Sequence, residues 1–140
     1  MVSEKSEEIL SMCHPALQAI VRWASEFVSL EVREGHRPGV RQRELFLQGK
    51  TKINYPPGGK HCRVPSEAAD IYATPIPRDL NDPRWIRQLY YMAGMLRGLA
   101  ESQNVKIRWG GDWDRDGNTR DQTFNDLVHF EVLLSECDPK

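Results

Sequence analysis

Four histidines and twenty acidic residues supply the side chains best suited to bind a metal or move a proton, and their positions rank them. His61 follows a Gly/Pro-rich stretch, residues 54–59, and precedes Asp70 by nine residues. That separation lets a loop bring an imidazole and a strand-borne carboxylate to one ion, although the pair alone is weak. His129 lies in Asp126-Leu127-Val128-His129-Phe130-Glu131. Alternation there sets His129 and Glu131 on one face of a strand, with Asp126 at its start. A catalytic zinc ion wants three protein ligands, an open position for water and a nearby carboxylate to take the water's proton. His61, Asp70, His129 and Asp126 supply that set. His14, before Pro15 at a helix start, and His36, in a turn, have no acid or second histidine to complete a site and read as structural or exposed.

Other reactive groups carry weaker signals. Cys62 sits beside His61, but a fourth protein ligand would close the position that water needs, and a nucleophilic thiolate would need its own base. A structural role is favoured. The loop Asp112-Trp113-Asp114-Arg115-Asp116-Gly117 matches the opening of a calcium loop, with carboxylates at alternate positions and glycine sixth. Its twelfth position is Thr123 rather than a bidentate glutamate, which favours a solvated acidic turn and leaves Ca2+ at Asp112, Asp114 and Asp116 as the alternative. Trp109 and Trp113 flank Gly110-Gly111 and read as packing around the site, with stacking on substrate the lesser alternative.

The elements that must position these groups follow from periodicity. From Cys13 to Phe27 the residues Leu17, Ile20, Val21, Ala24 and Phe27 recur at helical spacing, with Pro15 tolerable in the first turn. Residues 28–33 alternate and read as a strand entering the turn Gly35-His36-Arg37-Pro38-Gly39, which puts Arg37 at a strand exit. Arg41 to Leu47 reads as a short helix closed by Gly49, and Ala68 to Tyr72 as a buried strand carrying Asp70. The clearest element runs from Asp82 to about Gln103. Asp82 caps it, Pro83 opens it, and Trp85, Leu89, Met92, Leu96 and Leu99 form a stripe assigned to packing. Val105 to Trp109 and Leu127 to Leu134 read as strands around a polar loop. The expected fold is α+β, a single domain over residues 1–140 in which helices cover a small, largely antiparallel sheet, with zinc at the sheet.

Bulk properties remove several function classes. Nineteen basic against twenty acidic residues leave a formal charge of -1, so no net basic field draws nucleic acid. No apolar stretch approaches the roughly 20 residues needed to span a bilayer, so stable membrane insertion is not expected. The opening MVSEKSEEIL lacks the basic start and apolar run of a Sec signal, and no element is assigned before Cys13. Cys13, Cys62 and Cys137 are odd in number and widely spaced, which argues against a disulfide framework and for a reducing compartment.

Four strings occur in a familiar order: Gly35-His36-Arg37, Gly59-Lys60-His61 to Ala68-Ala69-Asp70, Arg108-Trp109-Gly110-Gly111-Asp112-Trp113, and Asp126-Leu127-Val128-His129-Phe130-Glu131. From about Cys13 to Val132 the chain resembles the phage endolysins of the L-alanyl-D-glutamate peptidase type, relatives of D-Ala-D-Ala carboxypeptidases. The resemblance implies that His61, Asp70 and His129 bind zinc, that Asp126 is the general base, and that Arg37 holds a substrate carbonyl or carboxylate. It gives Gln42 a recurrent place near the substrate. Three positions depart from the common pattern: Gly59 stands for a serine, Pro38 for a threonine, and residues 62–67 extend the loop between His61 and Asp70, a form associated with phages of Gram-negative hosts.

The implied activity is zinc-dependent hydrolysis of the stem peptide of peptidoglycan. The alternatives are a D,D-carboxypeptidase acting on the same peptide and a non-catalytic cell-wall binding module with a structural zinc. The presence of Asp126 argues against the last, because a structural site has four protein ligands and needs no spare acid. A monomeric enzyme of this kind would collect in the host cytoplasm and need a holin-type pore to reach the wall at lysis.

Overall fold

The computed structural model describes residues 2–121 and 125–134. In chain order these form α1 (Glu4–Leu10), α2 (Pro15–Ala24), β1 (Leu30–Glu34), α3 (Gly39–Leu47), a short 3-10 turn (Lys60–Cys62), β2 (Ala68–Ala73), α4 (Pro83–Ser102), β3 (Lys106–Gly110), a second 3-10 turn (Thr119–Asp121) and β4 (Asp126–Leu133). The strands make one sheet in the order β1-β2-β4-β3, antiparallel at every pairing. The α+β architecture read from the sequence is the one observed.

Alternation along the strands separates core from chemistry. Ala69, Ile71 and Ala73 of β2, Ile107 and Trp109 of β3, and Phe130 and Val132 of β4 join a core with Leu17, Ile20, Val21 and Ala24 of α2 and Leu89, Met92, Ala93 and Leu96 of α4. The intervening residues, Asp70, Arg108, His129 and Glu131, therefore share the opposite face, away from α2 and α4. The Asp82 carboxylate caps α4 by accepting from the Arg84 amide, and Pro83 opens the helix, where its missing N–H costs nothing. His14 is structural, as its setting suggests: its Nδ1 accepts from the Ala16 amide and caps α2. Gly49 follows α3 at φ 75, the left-handed conformation that ends helices.

Two expectations need correction. Helix α2 stops at Ala24, so Phe27, placed on its apolar face by periodicity, lies beyond it and is 57% exposed. The first ten residues also form an element: Ser3 caps α1 by accepting from Ser6, and Glu4 and Glu7 sit favourably in its first turn. Its function is positional. β1 is an edge strand, and the Val32 amide, which would otherwise lack a partner, donates to Ser6 Oγ at 2.9 Å. Glu7 then ties α1 to α2 through a two-nitrogen contact with Arg22. Cys137 and Thr123 lie outside the described residues.

Candidate metal centre and active site

Each residue of the predicted metal set arrives on a different support. Asp70 and His129 are direct cross-strand partners of β2 and β4. His61 comes from the Lys60–Cys62 turn, pinned to the turn after β1 by the Arg37 amide donating to the His61 carbonyl at 2.7 Å. The ligand-capable atoms of His61, Asp70 and His129 lie within 4.8 Å of one another, so the group can hold a metal ion.

The outer hydrogen bonds fix which atoms face inward. His61 Nδ1 is 2.7 Å from the Gly35 carbonyl, which can only accept, so Nδ1 carries the proton and Nε2 is left facing Asp70 at 3.3 Å. His129 Nε2 is 2.9 Å from Glu131 Oε1, which leaves Nδ1 facing Asp70 at 3.6 Å. Asp70 Oδ1, between the two rings, is buried with no aligned hydrogen-bond partner among the described residues. An orphaned carboxylate oxygen facing two imidazole nitrogens, each oriented through its far nitrogen, is a donor set that fits a divalent cation.

Electrostatics agree with the geometry. Burial would raise the Asp70 carboxyl, but His129 and His61 outweigh it and hold the group well below the usual carboxylate range. Burial would lower His129, yet Asp70 and Glu131 raise it to about 9 in the metal-free chain. Glu131, 5% exposed, is itself held anionic against the effect of burial by His129, Arg108 and Lys60. Its Oε2 lies 2.8 Å from Arg108 Nη2 and 3.6 Å from Lys60 Nζ. Trp113 closes this side, its ring 5.4 Å from that of His129 and 5.9 Å from the Arg108 guanidinium carbon. Trp109 instead belongs to the core, stacked on Phe130.

Asp126 reaches the site through an irregularity. It lies three positions before His129, so a regular strand would point the two to opposite faces. The β3–β4 ladder passes from Trp109 paired with Phe130 directly to Gly110 paired with Asp126, so β4 bulges over residues 127–129. Trp109 Nε1 fastens the bulge by donating to the Leu127 carbonyl at 2.7 Å. Gly110 permits it, because a Cβ there would run into the Asp126 carbonyl. Asp126 is half-buried and lies in the field of His129, Asp70, His61 and Arg37. Burial raises its carboxyl, and Asp70 adds to the effect while His129 opposes it.

Arg37 flanks the group, with Nη2 4.0 Å from Asp70 Oδ2. Its guanidinium is gripped by Glu34 through Nε and Nη2, at 2.9 and 3.1 Å, and by Gln42 Oε1 on Nη1 at 2.9 Å. Three of its five donor hydrogens are thereby committed, which leaves two uncommitted. Gln42 is 1% exposed, and its side chain contacts Arg37 and the Ile53 carbonyl. Glu34 was not singled out in the sequence. Its only local signal is its place one residue before the Gly35-His36-Arg37 string. Cys62 lies outside the metal group, with Sγ 3.7 Å from Gln42 Oε1.

The sequence model of the phage L-alanyl-D-glutamate peptidases matches residues 1–133. The chain belongs to that family. Its fold is also that of the Serratia marcescens L-Ala D-Glu endopeptidase ChiX, whose crystal structure aligns with TM-score 0.72 and 26% identity over 95% of this chain and 90% of that one. No curated protein sequence matches it.

In this family member a second group stands apart from the first. The carboxylates of Asp112, Asp114 and Asp116 lie within 4.8 Å of one another. Asp112 Oδ2 accepts from the Gly117 amide and lies 3.5 Å from Arg97 Nη1, while its Oδ1 is buried without a partner among the described residues. Asp114 and Asp116 are exposed.

Proposed function

We propose that the protein is a zinc-dependent peptidase that cleaves the stem peptide of peptidoglycan at the L-alanyl-D-glutamate bond, and that it does so in phage lysis of a bacterial host. Family membership and the endopeptidase neighbour support the peptidase class and the bond. The observation that carries the metal is the orphaned Asp70 Oδ1 between His61 Nε2 and His129 Nδ1. Two imidazoles and a carboxylate match a catalytic zinc site, which keeps a position open.

His61, Asp70 and His129 would hold the ion, which supplies Lewis acidity toward water and the scissile carbonyl. Asp126 takes the proton of the attacking water and delivers it to the leaving amine. Its raised basicity suits both steps, since an acid poised nearer the working pH transfers protons in either direction. Arg37, fixed by Glu34 and Gln42, donates its remaining N–H groups to the carbonyl oxygen as charge develops there. Trp113 packs against His129 on that side. The oxygen-only set at Asp112, Asp114 and Asp116 suits a hard cation such as calcium.

No helix among the described residues is long and apolar enough to cross a membrane. On this reading a monomeric chain gathers in the host cytoplasm and reaches the wall through a holin-type pore. Hydrolysis of a synthetic L-Ala-γ-D-Glu stem peptide tests the activity. Chelation should abolish cleavage and zinc should restore it; cleavage that survives complete metal removal would refute the metal-dependent reading.

A further inference from the structure

A groove of about 340 Å³ lies between α1 and the turn after β1, with Glu8, Ile9, Met12, Arg33, Glu34 and Arg41 in its lining. We propose that this groove is a second substrate subsite, in which Arg41 binds a free carboxylate of the stem peptide away from the scissile bond. The inference rests on the peptidase reading above.

The groove shares two residues with the frame of the centre. Glu34 forms its wall and is also the cross-strand neighbour of Asp70 and the clamp on Arg37. Gly35, next along the same wall, gives its carbonyl to His61.

Arg41 is equipped to receive an anion there. Its Nε donates to Glu34 Oε1 at 2.8 Å, which orients the guanidinium, and its side chain is 54% exposed. Its two terminal nitrogens carry no hydrogen bond among the described residues, so four of five donors remain, in the fork that matches a carboxylate. Glu34 is shared between Arg37 and Arg41, Asp70 lies 4.0 Å from Arg37 and Glu8 also lines the groove, so recognition there rests on the Arg41 fork and not on a net positive field. Ile9 and Met12 add an apolar floor suited to the methylenes of a side chain that ends in a carboxylate. Two groups of a stem peptide have this chemistry: the α-carboxylate of a γ-linked D-glutamate, and the carboxylate that ends the side chain of a diaminopimelate in the third position.

The test uses zinc-loaded wild type and Arg41→Ala on four synthetic stem peptides, with D-glutamate free or α-amidated and the third residue diaminopimelate or lysine. Wild type should prefer at least one carboxylate-bearing peptide by about ten-fold in kcat/KM, expressed in KM, the size of one charge-assisted contact. Arg41→Ala should fall about ten-fold further on that peptide than on the one lacking both carboxylates, with Arg41→Lys in between. The responding pair identifies which carboxylate is read. A uniform fall across all four peptides would mean that Arg41 acts only through Glu34 and Arg37, and would overturn the subsite; so would a wild type that shows no carboxylate preference. A wild type that cleaves none of the four would overturn the peptidase reading itself, and the subsite with it.

Discussion

Replacing Glu131 with glutamine should damage both the metal centre and the fold, and the structure sets the size of each effect. Glu131 is 5% exposed, and its two oxygens serve His129 Nε2 at 2.9 Å and Arg108 Nη2 at 2.8 Å. Glutamine keeps the shape but removes the charge, and its amide nitrogen would face either His129 or the pair Arg108 and Lys60, donor against donor. Arg108 is 7% exposed, and its Nε and Nη1 already lack partners among the described residues, so in either orientation it would lose its one hydrogen-bonded anionic partner. Leaving a buried cation unpaired costs about 3–5 kcal/mol. Loss of an anionic partner behind a metal-binding histidine weakens the metal by about 10–100-fold, or roughly 1.4–2.8 kcal/mol. The fold term is the larger, so the two readouts separate. Urea unfolding of the chelator-stripped proteins should show the 3–5 kcal/mol deficit of about that size, and competition against a chromophoric chelator should show the weaker zinc binding. A variant that binds zinc within about two-fold of wild type, and whose stripped form unfolds within about 1 kcal/mol of it, would refute the role given to Glu131.

Three further outcomes follow from the same geometry. Because the folded-state value of His129 is raised from 6.5 to about 9, its ion pairs stabilise the metal-free chain fully below pH 6.5 and are lost as pH rises through about 9. The Tm of the stripped protein should fall across that window, and zinc binding at pH 7 should release about one proton, read by calorimetry in buffers of different ionisation heat; binding without proton release would contradict it. Gly110→Ala should cut kcat by about ten-fold or more with zinc affinity retained, since the new Cβ displaces Asp126 rather than the metal group; an unimpaired variant would show that the bulge does not position the base. Calcium at about 1 mM should raise the Tm of wild type and not of Asp112→Asn, whereas equal shifts in both would assign the effect to other sites.

Much of the centre was legible in the sequence because period-2 patterning is a local signal. The alternation of Asp126-Leu127-Val128-His129-Phe130-Glu131 correctly puts His129 and Glu131 together, and the β-like run Ala68 to Tyr72 carries Asp70 into the sheet beside His129. Pro83 behind Asp82 marks the start of α4 for equally local reasons. What was not legible depends on partners distant in the chain. Nothing around Asp126 indicates where its ladder breaks; the permissive residue is Gly110, on the neighbouring strand. Glu34 acquires its meaning only when the chain turns and Arg37 and Arg41 come back to it. Helix α1 escapes a periodicity argument because seven residues with two buried positions, one of them Ser6, hold no stripe to detect. The same reasoning overextended α2 to Phe27, where an apolar residue continues the spacing after the helix has ended.

The central claim is that His61, Asp70 and His129 hold the ion while Asp126 moves the proton for cleavage between L-alanine and D-glutamate. Mass spectrometry of purified peptidoglycan digested by the zinc-loaded protein tests it most directly, with an Asp126→Ala variant that retains zinc as control. New L-alanine C-termini and D-glutamate N-termini, absent with the variant, are the predicted products. Release of terminal D-alanine alone, or undiminished cleavage by Asp126→Ala, would contradict the account.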